Sequence, residues 1–356
     1  MGVFGRARAF LRERYPLEGL TGLLAHKTVP LHRHAIWYYC GGMTLVLILI
    51  QIASGVLLLL YYRPSAEGAF ESVRFIMTKV EFGWLVRSVH AWAANLAILS
   101  AFVHLASTFF LKAYRPPREL TWVSGVCLFF LLLGFGFTGY LLPWNTLAFF
   151  ATKVGTQMAG SLPVIGPAMR TFLRGGAEIG DATVSRFFWF HIAVLPLGLL
   201  VLLAIHLLLV QLQGMSKPLA VREERSMPFM PNFLLRDFVA WSLMLGVVLA
   251  LSVYHPATLG EKADPFAPTP PGIQPEWYFL WMFQTLKLFP SHVLGLEGEL
   301  VAIGLTGLAG LIVLLVPWLD RPAARGRSSW LVWIGGILGI AYVMGMTGYA
   351  LWIEPR

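Results

Sequence analysis

The chain has 356 residues, of which 57% are hydrophobic and only 13% are charged, and its mean hydropathy is +0.69. This composition is typical of a multi-pass membrane protein and excludes a large soluble domain. The two cysteines, Cys40 and Cys127, exclude a disulfide framework. The formal net charge is +9, but the basic residues lie in short loops between apolar segments, so nucleic acid is not an expected partner.

Seven apolar segments predict seven transmembrane helices and an all-α membrane protein in contact with lipid. Their approximate bounds are 35–62, 84–111, 121–142, 187–210, 238–254, 300–319 and 330–352. Residues 1–34 are basic and mixed and lack a continuous apolar run, so we expect no cleavable signal peptide. This N-terminal segment is expected to form either a helix on the membrane surface or a solvated basic tail.

Two of these segments carry paired histidines. His90 and His104 are 14 residues apart on the second segment, and His191 and His206 are 15 residues apart on the fourth. On an α-helix these intervals bring each pair to roughly one face, with about 21 to 22 Å between its members. Ionisable side chains inside lipid are rare and usually functional, although a single histidine can be a packing residue. Two such helices side by side predict two bis-histidine sites stacked across the bilayer, which suits two haems.

Glycines repeat the histidine interval on the flanking segments. The first and third segments each carry two glycines 14 residues apart, namely Gly41 and Gly55, and Gly125 and Gly139. A glycine inside a spanning helix lets either a large flat ligand or another helix approach the backbone closely. The glycines therefore predict contact with haems at two depths, and helix packing is the alternative for any one of them.

Charges in the loops predict the orientation of the chain. With the N-terminus in the cytoplasm, the inner loops hold 16 of the 27 lysines and arginines. This bias favours a cytoplasmic N-terminus and an outer C-terminus. His90 then pairs with His191 near the outer face, and His104 pairs with His206 near the inner face.

Two arginines and one acid stand out near the outer face. Arg87 and Arg186 lie just outside the outer histidines, where they would either pair with haem propionates or anchor the helices at the interface. The outer loop 255–299 contains the sequence PEWY at residues 275–278, followed by an apolar run. Glu276, on a half-buried loop, can exchange protons with a neutral ligand, and the alternative is a solvated loop acid.

Together these features resemble cytochrome b, the membrane core of quinol:cytochrome c and quinol:plastocyanin oxidoreductases. Residues 1–220 resemble the short cytochrome b of the cytochrome bf complex, through FGWLVRSVHAW, PRELTWVSGV, FTGYLLPWN, PVIGPAM and SRFFWFH. Residues 228–352 resemble the separate subunit IV of that complex, through DPFAPTPPGIQPEWYFLWMFQ. The resemblance implies an N-terminal cytoplasmic or interfacial segment (1–34), a four-helix dihaem bundle (35–220) and a three-helix unit with the PEWY loop (221–356).

The resemblance also implies oxidation of quinol with its two electrons sent along separate paths. Glu276 and Tyr278 match the family's proton-handling and quinol-contacting positions near the outer face. One electron would pass to a Rieske iron–sulfur protein and on to a c-type cytochrome or similar acceptor. The other would cross both haems to a quinone at the inner face, with proton release outside and uptake inside.

The family further implies a homodimeric multisubunit complex, here in a bacterial cytoplasmic membrane. Further residues expected to line the quinol site are Tyr140, Pro143, Asn145, Pro275 and Trp277.

The inner side departs from the family's pattern. In bf-type proteins a cysteine at the start of the first helix carries a third, covalently attached haem c. An ungapped alignment places Tyr39 at that position and Cys40 one residue later, so Cys40 either binds a haem c or is a packed interfacial cysteine. Basic residues that follow the inner histidines in bf-type proteins are replaced here by Ser107, Gln211 and Leu212. Groups that could bind quinone or propionates instead are Lys217, His32, His34 and Arg118.

Two other functions would use part of the same features. A dihaem membrane anchor that passes electrons between a soluble dehydrogenase and the quinone pool needs the four histidines but no outer PEWY site. An ion-coupled transporter could relay protons through intramembrane histidines, but the sequence shows neither internal inverted repeats nor matched broken helices. An absorption spectrum separates the transporter from the haem proteins, and the substitution Glu276→Gln separates the anchor from the oxidoreductase.

Overall fold

The computed structural model describes residues 27–221, 225–327 and 329–353, so the expectations for residues 1–26 lie outside the described residues. The described helices are α1 (Tyr39–Leu59), α2 (Gly68–Lys79), α3 (Gly83–Phe110), α4 (Glu119–Leu141), α5 (Thr146–Gly160), α6 (Gly166–Arg174), α7 (Asp181–Trp189), α8 (Leu195–Gln213), α9 (Leu234–Tyr254), α10 (Trp277–Leu288), α11 (Gly298–Leu319), α12 (Arg321–Ala324) and α13 (Trp330–Ile353). The short strands are β1 (Thr28–Pro30), β2 (Ser226–Pro228), β3 (His292–Val293) and β4 (Leu296–Glu297).

Within the described ranges, seven helices are long and apolar enough to cross a membrane, which confirms the predicted all-α membrane protein. They are α1, α3, α4, the continuous α7–α8, α9, α11 and α13. In lipid the backbone must satisfy its own hydrogen bonds, and a helix does this within one segment. The largest difference from the predicted bounds is in the fifth membrane helix, which begins at Phe229, with a π-helical turn before α9, and not near residue 238. The fourth begins at Asp181 and not near residue 187.

A π-helical turn, Phe190–Val194, joins α7 to α8 and contains His191. The N–H of Leu195 bonds to the carbonyl five residues earlier, and Pro196, which has no N–H, follows directly. A turn with this bonding holds one more residue than an α-helical turn. His191 and His206 are 15 residues apart, one more than His90 and His104 on α3. The π-helical turn takes up this additional residue.

The first four membrane helices pack as a bundle, with α1 against α3, α4 against α8, and α3 against α4. Ile48, Ile98, Leu128 and Leu199 come from the four different helices and meet in one core, which Tyr278 of α10 also joins. The C-terminal helices cover this bundle: α9 packs against α1 and α3, α11 against α4, and α13 against α10. The result is a four-helix bundle with three further membrane helices around it.

Two antiparallel strand pairs lie in the loops. β1 pairs with β2, which places the segment before α1 beside the connection between α8 and α9. β3 pairs with β4 in the loop between α10 and α11. Such pairing gives loop N–H and carbonyl groups the partners that they need. The division of the chain near residues 34 and 220 stays a prediction.

Candidate functional site

Each of the four histidines lies against one of the four glycines. The imidazole Cε1 atoms lie 2.8 to 3.3 Å from the point that a Cβ atom on the facing glycine would occupy. Any side chain at these positions would therefore press on the imidazole, and only glycine leaves it in place. The four pairs are His90 with Gly55, His191 with Gly139, His104 with Gly41, and His206 with Gly125.

A hydroxyl group next to the glycine holds the imidazole in three of these pairs. Ser54, Thr138 and Ser124 each place the hydroxyl oxygen 2.9 Å from Nδ1 of the facing histidine. Each hydroxyl also donates its one hydrogen to a carbonyl about one turn earlier on its own helix. The hydroxyl must then accept a hydrogen bond from Nδ1–H, and this tautomer leaves Nε2 free to bind a metal ion.

His90 and His191 meet across the bundle. The ring centroids of His90 and His191 are 6.4 Å apart, with 70° between the ring planes. In the part of the chain that the structure describes, no group of three or more His, Cys, Asp or Glu side chains could hold a metal ion by itself. Because two imidazoles supply only two ligands, the arrangement fits an iron whose other ligands come from a porphyrin.

Arg87 and Arg186 bind backbone carbonyl groups in the connections between membrane helices. Arg87 donates to the carbonyls of Ala257 at 2.7 Å and Thr258 at 2.9 Å. Arg186 donates to the carbonyl of Phe172 and lies over the ring of that residue, 5.5 Å from its centroid. Both arginines therefore hold loops next to the outer histidines, and their pairing with propionates stays a prediction.

The PEWY sequence lies where α10 begins. Glu276 is the residue just before α10, is half-buried, and lies within electrostatic reach of Tyr140 near the end of α4. Tyr278 is buried, and its hydroxyl oxygen lies 2.9 Å from the point that a Cβ atom on Gly136 would occupy. The structure thus brings the carboxylate and both phenols to the contact between α4 and α10.

Asn145 joins the two outer loops. Its Oδ1 accepts a hydrogen bond from the N–H of Ala148 at 2.9 Å and so caps α5, while its Nδ2 donates to the carbonyl of Leu259 at 2.7 Å. Pro143, in the turn before it, and Pro275 are both half-buried. Asn145 therefore has a structural role in capping and loop contact, and its contact with quinol stays a prediction.

Several of the predicted inner residues lie close together near β1 and β2. Nε2 of His32 is 2.6 Å from the hydroxyl of Tyr38, which donates to the carbonyl of Ser216 at 2.7 Å. Burial, followed by the positive charges of His34 and Lys217, lowers the pKa of His32. This part of the structure therefore combines an imidazole, a phenol and basic side chains at one end of the bundle.

Arg118 and Cys40 lie at the same end. Arg118 donates to the carbonyl of Gln213 at 2.9 Å. Cys40 is only 5% exposed, and its carbonyl accepts hydrogen bonds from Thr44 on its own helix and from Ser100 on α3. Cys40 therefore lies inside the contact between α1 and α3.

Comparison with known proteins decides the family. The family described as cytochrome b/b6/petB matches residues 25–214, and the one described as cytochrome b(C-terminal)/b6/petD matches residues 262–350. The chain belongs to the cytochrome b/b6 family. It is 46% identical over 339 residues to the cytochrome bc complex cytochrome b subunit of Chlorobaculum thiosulfatiphilum, over 94% of this chain and 78% of that one.

Two further similarities agree with this family. The chain is 47% identical over 192 residues to the menaquinol:cytochrome c reductase cytochrome b subunit of Geobacillus thermodenitrificans, over 53% of this chain and 86% of the other. A solved chain described as hyperthermophilic respiratory Complex III matches the structure with a TM-score of 0.83 and 30% identity, over 96% of this chain and 90% of that chain. Membership of the cytochrome b/b6 family implies b-type haem and quinone binding in an integral multi-pass membrane protein.

Two polar residues inside the cytochrome b helices were not predicted as site residues. Asn95, five residues after His90 on α3, accepts a hydrogen bond from the indole of Trp277 at 2.7 Å. Asp237, in the first turn of α9, is buried against Gly42, and its Oδ1 has no hydrogen-bond partner among the described residues. The sequence carried a signal for Asn95, a lone polar side chain in an apolar run, whereas Asp237 directly follows Arg236 at the edge of its apolar segment.

Proposed function

We propose that this chain is the cytochrome b subunit of a bc-type quinol:cytochrome c oxidoreductase, or of a variant that uses a similar acceptor. The observation that carries the proposal is the set of four histidines on two helices, each packed on a glycine and three of them held through Nδ1 by a hydroxyl. This set presents two bis-histidine sites at two levels of one bundle. The relatives named cytochrome bc complex subunit and menaquinol:cytochrome c reductase subunit support the same function.

The residues present fit two b haems. When bound, the haems would supply one-electron chemistry and a path for electrons across the membrane. The protein holds three of the imidazoles through Nδ1 with Nε2 free, packs all four on glycines, and packs apolar side chains between the two levels. Arg87 and Arg186 would neutralise propionates at the outer ends of the same helices. The proposed ligands are His90 and His191 for the outer iron, and His104 and His206 for the inner iron.

Quinol would be oxidised at the contact between α4 and α10. Oxidation releases two protons and two electrons, and Glu276 would accept one of the protons, because it is a half-buried carboxylate just before α10 and two residues from the buried Tyr278. One electron would go to the Rieske iron–sulfur partner and the other toward the inner face. Tyr278 and Tyr140 would orient the quinol with their hydroxyl groups. Further lining residues in this proposal are Pro143, Asn145, Pro275 and Trp277.

A quinone would be reduced at the opposite end of the bundle, near β1 and β2. His32 and the buried carboxyl group of Asp237 can deliver protons there, since imidazole and carboxyl groups are the usual proton donors in proteins. Lys217, His34 and Arg118 would place positive charge beside the reduced ring. This end faces the cytoplasm of a bacterial cell in our proposal, so that protons are taken up inside and released outside. A homodimeric complex is part of the same proposal.

A dihaem anchor without quinol oxidation accounts for less of the structure. It would use the bis-histidine sites in the same way. It gives no reason for the burial of Tyr278 against α4, or for the hydrogen bond between Trp277 and the helix that carries His90 and His104. These contacts of the PEWY residues favour the oxidoreductase.

Pyridine haemochrome spectra of the purified complex, before and after acid–acetone extraction, test the haem sites. We expect two extractable b haems per chain, and a sample without haem would overturn the proposal. Glu276→Gln should lower quinol-dependent reduction of the acceptor by about 10²-fold or more with both haems retained. The exposed outer-loop substitution Glu178→Gln is the matched control and should leave turnover unchanged. Normal turnover of Glu276→Gln would favour the dihaem anchor over the quinol oxidoreductase.

A further inference from the structure

Cys40 is one of four residues that each come just before a glycine facing a histidine. The other three of these residues bind the facing histidine through a hydroxyl. The residue just before each of the four glycines carries a hydroxyl or a thiol. Along α1 and α4 these residues repeat at intervals of 14, as the glycines do. Each therefore holds the same position relative to a glycine and a facing histidine. The set is Cys40 before Gly41, Ser54 before Gly55, Ser124 before Gly125, and Thr138 before Gly139.

The imidazoles meet their glycines in the same way in all four pairs. Nδ1 lies 3.5 to 3.8 Å from the point that a Cβ atom on the facing glycine would occupy, and the value for His104 is 3.6 Å. In the other three pairs a hydroxyl oxygen lies 2.9 Å from Nδ1. Nδ1 of His104 therefore has the same position relative to its glycine as Nδ1 of the other three histidines. The residue just before that glycine, which carries a hydroxyl in the other three pairs, is here Cys40.

His104 also has the one unsatisfied Nδ1 of the four. This atom is buried, and none of the described residues, Cys40 included, is its hydrogen-bond partner in this structure. The neighbouring hydroxyls are engaged with each other: Thr44 donates to the carbonyl of Cys40 at 2.9 Å, and Ser100 lies 2.9 Å from Thr44. A buried N–H without an acceptor is unfavourable, so a partner for His104 is expected from Cys40, the residue at the position equivalent to those of the three hydroxyl residues.

We propose that the thiol of Cys40 becomes the hydrogen-bond partner of His104 by a rotation about its Cα–Cβ bond to the position that the three hydroxyls hold, so that the sulfur accepts the bond from Nδ1–H. This inference rests on the proposed function, which makes His104 a ligand of the inner haem. Cys40 is then a positioning residue for that ligand and not the attachment point of a third haem. Its burial inside the contact between α1 and α3 agrees with this role. Tyr39 beside it is packed as well, because its ring stacks on Phe233 with 4.8 Å between centroids.

A thiol partner has a consequence for the reduction potential of the inner haem. Sulfur is a weaker acceptor than a hydroxyl oxygen. A strong hydrogen bond from Nδ1–H makes imidazole a more basic ligand, which favours the oxidised iron and lowers the potential. With Cys40 as partner, His104 donates less charge, so the inner haem has a higher potential than it would have beside a hydroxyl. This favours electron flow from the outer to the inner site.

A redox titration of the purified complex, with both b haems followed by absorbance, tests the role of Cys40. Cys40→Ser introduces a hydroxyl just before Gly41, and Ser54→Cys makes the reverse exchange beside His90. We expect Cys40→Ser to lower the midpoint potential of one haem, and Ser54→Cys to raise that of the other. Ser100→Ala removes a nearby hydroxyl that is not the partner and should leave both midpoints unchanged.

Mass spectrometry of the denatured chain separates this role from covalent attachment of a third haem. A chain mass without a haem adduct supports the proposal, and an adduct that Cys40→Ala removes would overturn it. Unshifted midpoints in Cys40→Ser, or a shift in Ser100→Ala, would overturn it as well. If Cys40→Ser fails to assemble, Cys40→Thr replaces it, since threonine already fills this place beside His191. Failure of the proposed function looks different, because the wild-type complex would then yield no extractable b haem.

Discussion

Trp277 donates its indole N–H to the side-chain oxygen of Asn95 at a distance of 2.7 Å. Asn95 lies on α3 between the two histidines and donates its own amide N–H to the carbonyl of Ala91 at 2.9 Å. The bond to Trp277 therefore connects the loop that carries Glu276 to the helix that presents one histidine at each depth. Polar partners are scarce inside a membrane, so no other residue is expected to replace Asn95 easily.

Asn95→Leu should impair quinol oxidation while leaving the haems in place. The substitution leaves the indole N–H of Trp277 unpaired, at a cost of about 1 to 3 kcal/mol, and the PEWY residues lose their fixed position. We expect turnover with quinol to fall about tenfold, measured with haem quantified on the same sample. Ser242→Ala, which removes a hydroxyl bonded only to its own helix, is the control. Full turnover of Asn95→Leu would show that this bond does not position the loop.

Gly139→Ala should deplete one of the two haems. The new Cβ atom would lie 2.8 Å from Cε1 of His191, closer than real Cβ contacts allow, so the imidazole must shift away from its place. We expect the b haem content per chain to fall toward one, with the remaining haem unchanged in spectrum. Gly246→Ala is the matched control, because a Cβ atom on Gly246 of α9 meets nothing within 4 Å. Equal haem contents in the two variants would contradict this prediction.

The spacing of histidines and glycines could be predicted because it depends only on the geometry of a single helix. The π-helical turn at His191 could not, since a proline in an apolar run can kink, end or widen a helix according to what packs against it. The bond from Trp277 to Asn95 joins residues 182 positions apart, and no local pattern marks such a partner. Asn95 itself was visible as a lone polar residue, but its role required the fold.

His32 should make the protein less stable at mildly acidic pH. Burial, then the charges of His34 and Lys217, holds the pKa of His32 in the folded protein below the ordinary value of 6.5. The unfolded chain then binds a proton at a higher pH than the folded chain does, so stability falls as the pH drops below about 6.5. We expect a lower unfolding temperature at about pH 5.5 than at about pH 7.5.

His32→Gln should remove part of this pH dependence, because the neutral amide takes up no proton in either state. Ser242→Ala, which removes no titratable group, is the control and should leave the pH profile as it is. Unfolding temperatures of the detergent-solubilised complex across this pH range make the measurement. A profile of His32→Gln that coincides with that of the unmodified protein would argue against the role given to His32.

Asp320 ties the loop after α3 to the end of α11. The residue is fully buried, and its Oδ2 accepts hydrogen bonds from Lys112 at 2.9 Å, Tyr114 at 2.5 Å and Ser329 at 2.7 Å. Lys112 and Asp320 are 208 positions apart, so this cluster joins the four-helix bundle to the C-terminal helices. A buried carboxylate depends on such partners, since its own desolvation is unfavourable.

Lys112→Met should therefore destabilise the protein by about 3 to 5 kcal/mol, because it leaves the carboxylate of Asp320 buried without its cation. Glu71→Gln breaks the exposed pairs of Glu71 with Lys262, 3.1 Å apart, and with Arg74, 2.5 Å apart, and should cost less than about 1 kcal/mol. Thermal unfolding of both variants in the assembled complex gives the comparison. The double variant Lys112→Met with Asp320→Asn should recover part of the loss, since no uncompensated charge remains. Equal unfolding temperatures for Lys112→Met and Glu71→Gln would mean that the buried pair does not hold the two parts of the chain together.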